Sequence, residues 1–198
     1  MFQNAKSFST RCRALRDEIP EESILNQKYA DYAYKDSFEV EIKREDVAKW
    51  EIIAALFHSA PPWFDVLAQL RDRIVSVFGL KTSVANPKQT PPPYHDGREI
   101  GFFRILEQNE HEVILGNDDK HLDFRMSLML TQKEGSWRLS ASTVVSTKNL
   151  GGSVYFSIVK PFHRIILPIM TRGMANIVEK RALPKTFYEA MKVVDVGN

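Results

Sequence analysis

A single cysteine, Cys12, stands among the 198 residues, so an internal disulfide and a metal site made only of cysteines are both excluded. It lies among Arg11, Arg13 and Arg16 and reads as an incidental thiol beside a solvated basic face. Charge of one sign is equally scarce. The net charge is +2, and the basic residues are scattered rather than striped between aromatics, which argues against a nucleic-acid partner. No apolar run is long enough to span a bilayer. The nearest, residues 154–170, is interrupted by Lys160, His163 and Arg164 and by Pro161 and Pro168, where about 20 predominantly apolar residues are needed. Stable membrane insertion is therefore not expected. The first 16 residues carry no signal-peptide core, so a cytoplasmic protein is the expectation.

What is present is globular: 43% hydrophobic and 26% charged residues, enough for one sizeable core. We divide the chain into an N-terminal arm (1–28), one domain (29–180) and a C-terminal tail (181–198). Residues 29–43 alternate, with Tyr32, Tyr34, Phe38, Val40 and Ile42 on one parity, which predicts a strand. Asp36 breaks the pattern and suggests a bulge or bend. Asp46 is a candidate N-cap for a helix through Trp50, Ile53 and Phe57, which Pro61-Pro62 stops. A second helix is expected from Trp63 to Phe78, with Gly79 as its C-cap. The polar, proline-rich stretch 81–97 reads as a surface connector or a gate, and a strand within it is open.

Four strands are expected at about 98–107, 111–117, 121–132 and 136–147, joined by loops short enough for hairpins. Gly151-Gly152 then leads into a long helix with Ser153 as its expected N-cap and kinks at Pro161 and Pro168. The order strand, helix pair, antiparallel meander, long helix predicts an α+β helix-grip domain. In it a curved antiparallel sheet wraps a long C-terminal helix and a helix pair closes one end.

Two stretches carry a more specific likeness. They are Gly116-Asn117-Asp118-Asp119-Lys120-His121-Leu122-Asp123-Phe124-Arg125, and Gly152-Ser153-Val154-Tyr155-Phe156 leading to Pro161-Phe162-His163-Arg164. Together with Trp50, Leu56-Phe57, Pro61-Pro62-Trp63, Leu70-Arg71-Asp72 and Phe78-Gly79-Leu80, they resemble the DUF2867 family of uncharacterised bacterial proteins. That family looks related to the polyketide cyclase, START and Bet v 1 group of helix-grip (SRPBCC) proteins. The resemblance implies a ligand-binding fold and brings no established reaction. Similar domains also occur appended to NAD(P)-dependent short-chain dehydrogenases. Here no Gly-x-Gly-x-x-Gly opens the chain, so the dinucleotide domain is missing and such an enzyme would be a separate partner.

Strand parity nominates the site. Ile100, Phe102 and Leu106 mark a core parity that includes Arg104, whose buried guanidinium would need a carboxylate or an anionic ligand. Trp137, Leu139, Ala141 and Val145 bring Thr143 inward, and Phe124 belongs to the apolar row of its strand. On the long helix Tyr155, Val159, Phe162 and Ile166 form one stripe, with His163 at its edge. The candidate ligand-binding residues are therefore Phe102, Arg104, Phe124, Thr143, Tyr155, Phe162 and His163. An alternative polar site is His121, Asp123 and Arg125, which share one strand face. The opposite row (Leu122, Phe124, Met126, Leu128, Leu130) is wholly apolar, so we prefer to point the polar row outward as charge pairs.

Metal binding is not expected, because His95-Asp96, His111-Glu112 and His121-x-Asp123 are too short to define a site. No cofactor is implied, no catalytic residue is assigned, and whether the chain is an enzyme stays open. The leading expectation is non-covalent binding of a small apolar or amphipathic molecule between sheet and helix, as carrier or sensor. A cyclase- or dehydratase-type enzyme, or an accessory to a short-chain dehydrogenase, is the alternative. An interaction module using the outer sheet face, including a homodimer, is the third reading.

Overall fold

The computed structural model describes the backbone of residues 12–14, 18–29, 32–63, 87–133 and 135–195, and the side chains of all of these except 12–14 and 193–195. The strands are β1 (Cys12–Ala14), β2 (Tyr34–Ile42), β3 (Glu99–Ile100), β4 (Phe103–Gln108), β5 (Glu112–Asp118), β6 (Leu122–Lys133) and β7 (Ser136–Thr147). The helices are α1 (Ile24–Lys28), α2 (Lys49–His58), α3 (Leu150–Glu179) and α4 (Lys185–Asp195). All strands form one antiparallel sheet in the order β1-β2-β7-β6-β5-β4-β3. The consecutive run from β3 to β7 is the expected meander. The α+β architecture, an antiparallel sheet gripping a long C-terminal helix, follows. The second helix of the expected pair lies outside the described residues, apart from Trp63. Residues 87–97 contain a single 3-10 turn, at Pro87–Gln89, and no strand.

Turn chemistry sets the hairpins. Gly135 between β6 and β7 has φ of 80°, a conformation that a Cβ disfavours. Between β5 and β6, Asp119 Oδ1 accepts the His121 backbone N–H at 3.2 Å, the local bond that makes aspartate a turn former.

The pleat then sorts the side chains. On the inner face Val40, Ile42, Ile105, Val113, Leu115, Met126, Leu128, Leu130, Leu139 and Ala141 join one core with Ile52, Ile53 and Leu56 of α2 and Leu167, Met174 and Val178 of α3. Each such side chain contributes roughly 1.5–3 kcal/mol by leaving water. The outer face is covered too: Ile114 and Val144 pack with Ile19, Ile24 and Leu25 of the N-terminal arm. That arm is pinned by the buried Glu112 carboxylate. It accepts Ser23 Oγ at 2.5 Å, the Ile24 N–H at 2.7 Å, and the Ser127 hydroxyl.

Several local expectations are corrected. Asp36 makes no bulge: β2 and β7 pair in unbroken register from Tyr34↔Val145 to Ile42↔Trp137, with Asp36 opposite Thr143. The N-cap of α2 is Ala48, whose N–H is held by Glu51 Oε2 at 3.1 Å. Asp46 instead pairs with Arg44 at 3.0 Å and with Arg181. The N-cap of α3 is Asn149, not Ser153, because its amide oxygen reaches the Gly152 N–H at 3.0 Å. Residues 181–198, expected as a tail, carry α4. Leu183 and Phe187 there are buried against Ala54 of α2.

Candidate functional site

The first meander strand is where parity reasoning fails. Gly101, with φ of 62°, turns the chain between β3 and β4 and reverses which side chains face inward. Ile100 and Ile105, five apart, are both fully buried, whereas Arg104 is exposed and faces away from the grip. The predicted inward register of Arg104 is therefore inverted. Phe102 sits in the turn, half-buried, stacked on Phe103 at 4.1 Å and on Phe124 at 5.5 Å between ring centres.

The helix stripe is also displaced. The buried residues of α3 are Gly152, Leu167, Thr171, Met174, Ala175 and Val178, which puts the inward face about one residue further along than expected. Tyr155 is half-buried. Phe162 is 41% exposed and lies on an outward apolar row with Leu150, Val154, Ile158, Ile165 and Ile169. Two glycines set this phase by allowing close approach. A Cβ on Gly152 would overlap the His121 carbonyl, and one on Gly173 would sit 2.8 Å from Ser59 Cβ.

That rotation brings His163 over β2. Its Nδ1 lies 3.2 Å from Asp36 Oδ2, which also accepts the Tyr34 hydroxyl at 2.7 Å. Asp36 is 4% exposed and Thr143, its cross-strand neighbour, 3%. Both share the inward parity of Val40 and Ala141. Asp36 Oδ1 and Thr143 Oγ1 are buried and make no hydrogen bond among the described residues. Leaving a buried polar atom unsatisfied costs about 1–3 kcal/mol.

The surroundings are aromatic and basic. The Phe156 ring meets Tyr34 edge-on at 5.0 Å, Lys160 Nζ lies 4.9 Å above the Tyr34 ring, and the Arg164 guanidinium carbon is 6.0 Å from it. Burial, then the hydrogen bond to Asp36, push the Tyr34 phenol above its ordinary pKa, so it stays a neutral donor. Thr143 and His163 were nominated by sequence. For Tyr34 the sequence indicates only its parity on the strand, and for Asp36 only a bulge or bend. An acidic residue on an apolar parity was the signal for it.

The alternative trio is dispersed into pairs at the β5–β6 end of the sheet. Arg125 meets Asp118 at 2.6 Å and lies 5.4 Å from the Tyr29 ring centre, while Asp123 meets Lys148 at 2.7 Å. Burial opposes the Asp118 charge, but the Arg125 hydrogen bond and charge more than offset it and hold the carboxyl below its usual pKa. His121 Nδ1 is 3.0 Å from Asn149 Oδ1, the oxygen that caps α3. These residues join the hairpin to the helix start. Two surface depressions are described, of about 380 and 210 Å³. They lie at the opposite end of the strands, one beside Glu22, Leu130 and Trp137 and the other beside Ile42, Arg44 and Gly135. Neither is the cavity expected between sheet and helix.

The polar cluster and the sheet-and-helix frame define an α+β helix-grip domain with a half-satisfied carboxylate on its inner face. The family model for DUF2867, a protein of unknown function, matches residues 28–170, and the chain belongs to that family. The crystal structure of Ara h 8.0201 is similar over 72% of this chain and 99% of its own, at 15% identity and a TM-score of 0.26. Comparison with curated proteins gives no match. No helix among the described residues is long and apolar enough to cross a membrane.

Proposed function

We propose that this protein binds a small amphipathic molecule without covalent chemistry, as a carrier or sensor, between β2, β7 and α3. One observation carries the reading: the Tyr34, Asp36, Thr143 and His163 cluster on an otherwise apolar inner face, with two buried polar atoms that have no partner among the described residues. Ligand sites combine apolar walls with a few placed polar groups, and this arrangement has that composition. Phe156 and the half-buried Phe102 and Phe124 supply aromatic surface; each ligand methylene removed from water would contribute about 0.8 kcal/mol. Kinship with the polyketide cyclase, START and Bet v 1 group is part of the same proposal. Native mass spectrometry of the protein purified from cells tests it. A co-purified small molecule lost in a Thr143→Val, Asp36→Asn double variant is the expected result. Retention of the molecule by that folded variant would place its site elsewhere.

A second reading is favoured by the Asp36–His163 contact itself. A carboxylate that orients an imidazole is the arrangement a general acid–base needs. Turnover of the co-purified molecule that His163→Ala abolishes without weakening its binding would select this reading over a carrier.

A further inference from the structure

We propose that the head group taken by this site is a hydroxyl, an alcohol or phenol, and neither a carboxylate nor a phosphate. The inference rests on the ligand-binding reading above and specifies its chemistry.

Asp36 is the starting point. An ionised carboxylate only accepts hydrogen bonds. Its Oδ2 already receives Tyr34 and His163, at 2.7 and 3.2 Å, while Oδ1 receives nothing among the described residues. Whatever meets Oδ1 must therefore donate, which rejects a ketone, an ester carbonyl and any fully ionised acid.

Thr143 narrows the class further. It is the direct cross-strand partner of Asp36, on the same face, and its Oγ1 is buried with no partner among the described residues. Opposed side chains on neighbouring strands start only about 4.5–5.5 Å apart, so one small group can touch both. The group that donates to Asp36 while accepting from the threonine hydroxyl is itself a hydroxyl. An ammonium could donate to Asp36 and to the Thr143 oxygen, which also accepts, but it would leave the threonine O–H without an acceptor. It would also join His163, Lys160 and Arg164, the basic side chains that α3 already sets around Tyr34 and Asp36. A ligand hydroxyl also reproduces the donor and acceptor pattern of a water molecule, so solvent displaced from the pair leaves no bond unmade.

The test uses probes with one common tail: 1-decanol, methyl decyl ether, decanoate and decylamine, titrated into the intact chain and followed by amide chemical shifts. The alcohol is expected to bind about tenfold more tightly than the ether, the loss that accompanies an unmade hydrogen bond to a charged group. It should also exceed decanoate and decylamine. Thr143→Val and Asp36→Asn should each shrink the alcohol-over-ether ratio several-fold, whereas Thr143→Ser, which restores a hydroxyl, should keep it. Thermal unfolding of each variant separates lost recognition from lost fold. Equal binding of alcohol and ether, or tighter binding of decanoate or decylamine, overturns the hydroxyl assignment and leaves the ligand-binding reading intact. Failure of all four probes to shift any resonance of β2, β7 or α3 overturns both.

Discussion

Gly152 offers the sharpest test of how α3 is seated. The helix begins against the β5–β6 hairpin, and at Gly152 the two backbones touch. A built Cβ overlaps the His121 carbonyl oxygen and stands 2.8 Å from its carbonyl carbon. The obstacle cannot swing aside, because the His121 oxygen also accepts the Lys148 N–H at 2.8 Å. Gly151, one residue earlier, differs in kind. Its Cβ would meet only side-chain atoms, Asn149 Oδ1 at 3.3 Å and His121 Nδ1 at 3.5 Å. Alanine is favoured over glycine inside a helix by up to about 1 kcal/mol, and both substitutions collect part of that. Overpacking against immobile atoms costs typically 1–3 kcal/mol, and a backbone obstacle belongs at the upper end. Gly152→Ala is therefore expected to lose about 2 kcal/mol, while Gly151→Ala stays within about 1 kcal/mol of the parent. For a chain of this size the first figure corresponds to a fall in Tm of roughly 4–8 °C. Urea and thermal unfolding of the two variants side by side measure the difference. Equal stabilities would refute the close contact, and with it the helix phase that carries His163 over Asp36.

Three further outcomes follow from the same packing. Leu167→Ala should cost about 2–5 kcal/mol in urea unfolding, because the side chain is 3% exposed within the main core, whereas Phe162→Ala on the outward row should cost under about 1 kcal/mol; the reverse order would restore the sequence-derived stripe. Arg104→Leu should change stability by no more than about 0.5 kcal/mol, as expected for an exposed side chain; a loss of several kcal/mol would mean that it is buried and paired. Because folding raises the Tyr34 pKa, the folded state keeps the phenol protonated while the unfolded state begins to ionise, so stability should fall as pH rises above about 10. Tyr34→Phe should make that decline shallower, a point read from unfolding curves between pH 8 and 11; an unchanged slope would count against the buried Tyr34–Asp36 bond.

Much of the sheet was legible because antiparallel hairpins write themselves twice, in period-two alternation and in the turn residues between. The strands expected at 111–117, 121–132 and 136–147 differ from β5, β6 and β7 by a residue at some ends. The strand expected at 98–107 failed because Gly101 makes it two strands, and each break reverses parity. The odd separation of Ile100 and Ile105 carried that information. The phase of α3 was not legible from hydrophobicity alone. Isoleucine, leucine, valine and phenylalanine occur on every side of it, so no apolar stripe stands out. What fixes the phase is where backbone can approach backbone, at Gly152 and Gly173, and that depends on partners distant in sequence. The caps failed for a related reason. Asp46 and Ser153 are good capping types, but Asn149 reaches both the first turn of α3 and the preceding hairpin. As for the site, Thr143 came from parity; His163, at the edge of the expected stripe, needed its rotated face to reach β2. Asp36 was visible by the argument applied to Arg104, a charge on an apolar parity, and it is the one that the fold buries.

Among the described residues the sheet holds three buried carboxylates, Asp36 on the inner face and Glu39 and Glu112 on the outer. Glu39 is paired with Arg138 at 2.8 Å, and the contrast between Glu112 and Asp36 bears on function. Glu112 on the outer face has both oxygens engaged: two hydroxyls and a backbone N–H converge on it and tie the arm to β5 and β6. That is what a structural buried acid requires, since each lone pair left empty inside a protein weakens the fold. Asp36 on the inner face is buried to a similar degree, yet one of its oxygens and the neighbouring threonine hydroxyl have no partner among the described residues. A valine or leucine at Asp36 would lie on the same inner face as Phe38 and Val40 with none of that cost, because buried charge is seldom the stabilising choice. Stability therefore explains Glu112 and does not explain Asp36. A requirement for hydrogen-bond acceptance at the boundary of sheet and helix does, and among the side chains brought together there only Asp36 and Thr143 leave a buried oxygen open to an incoming group.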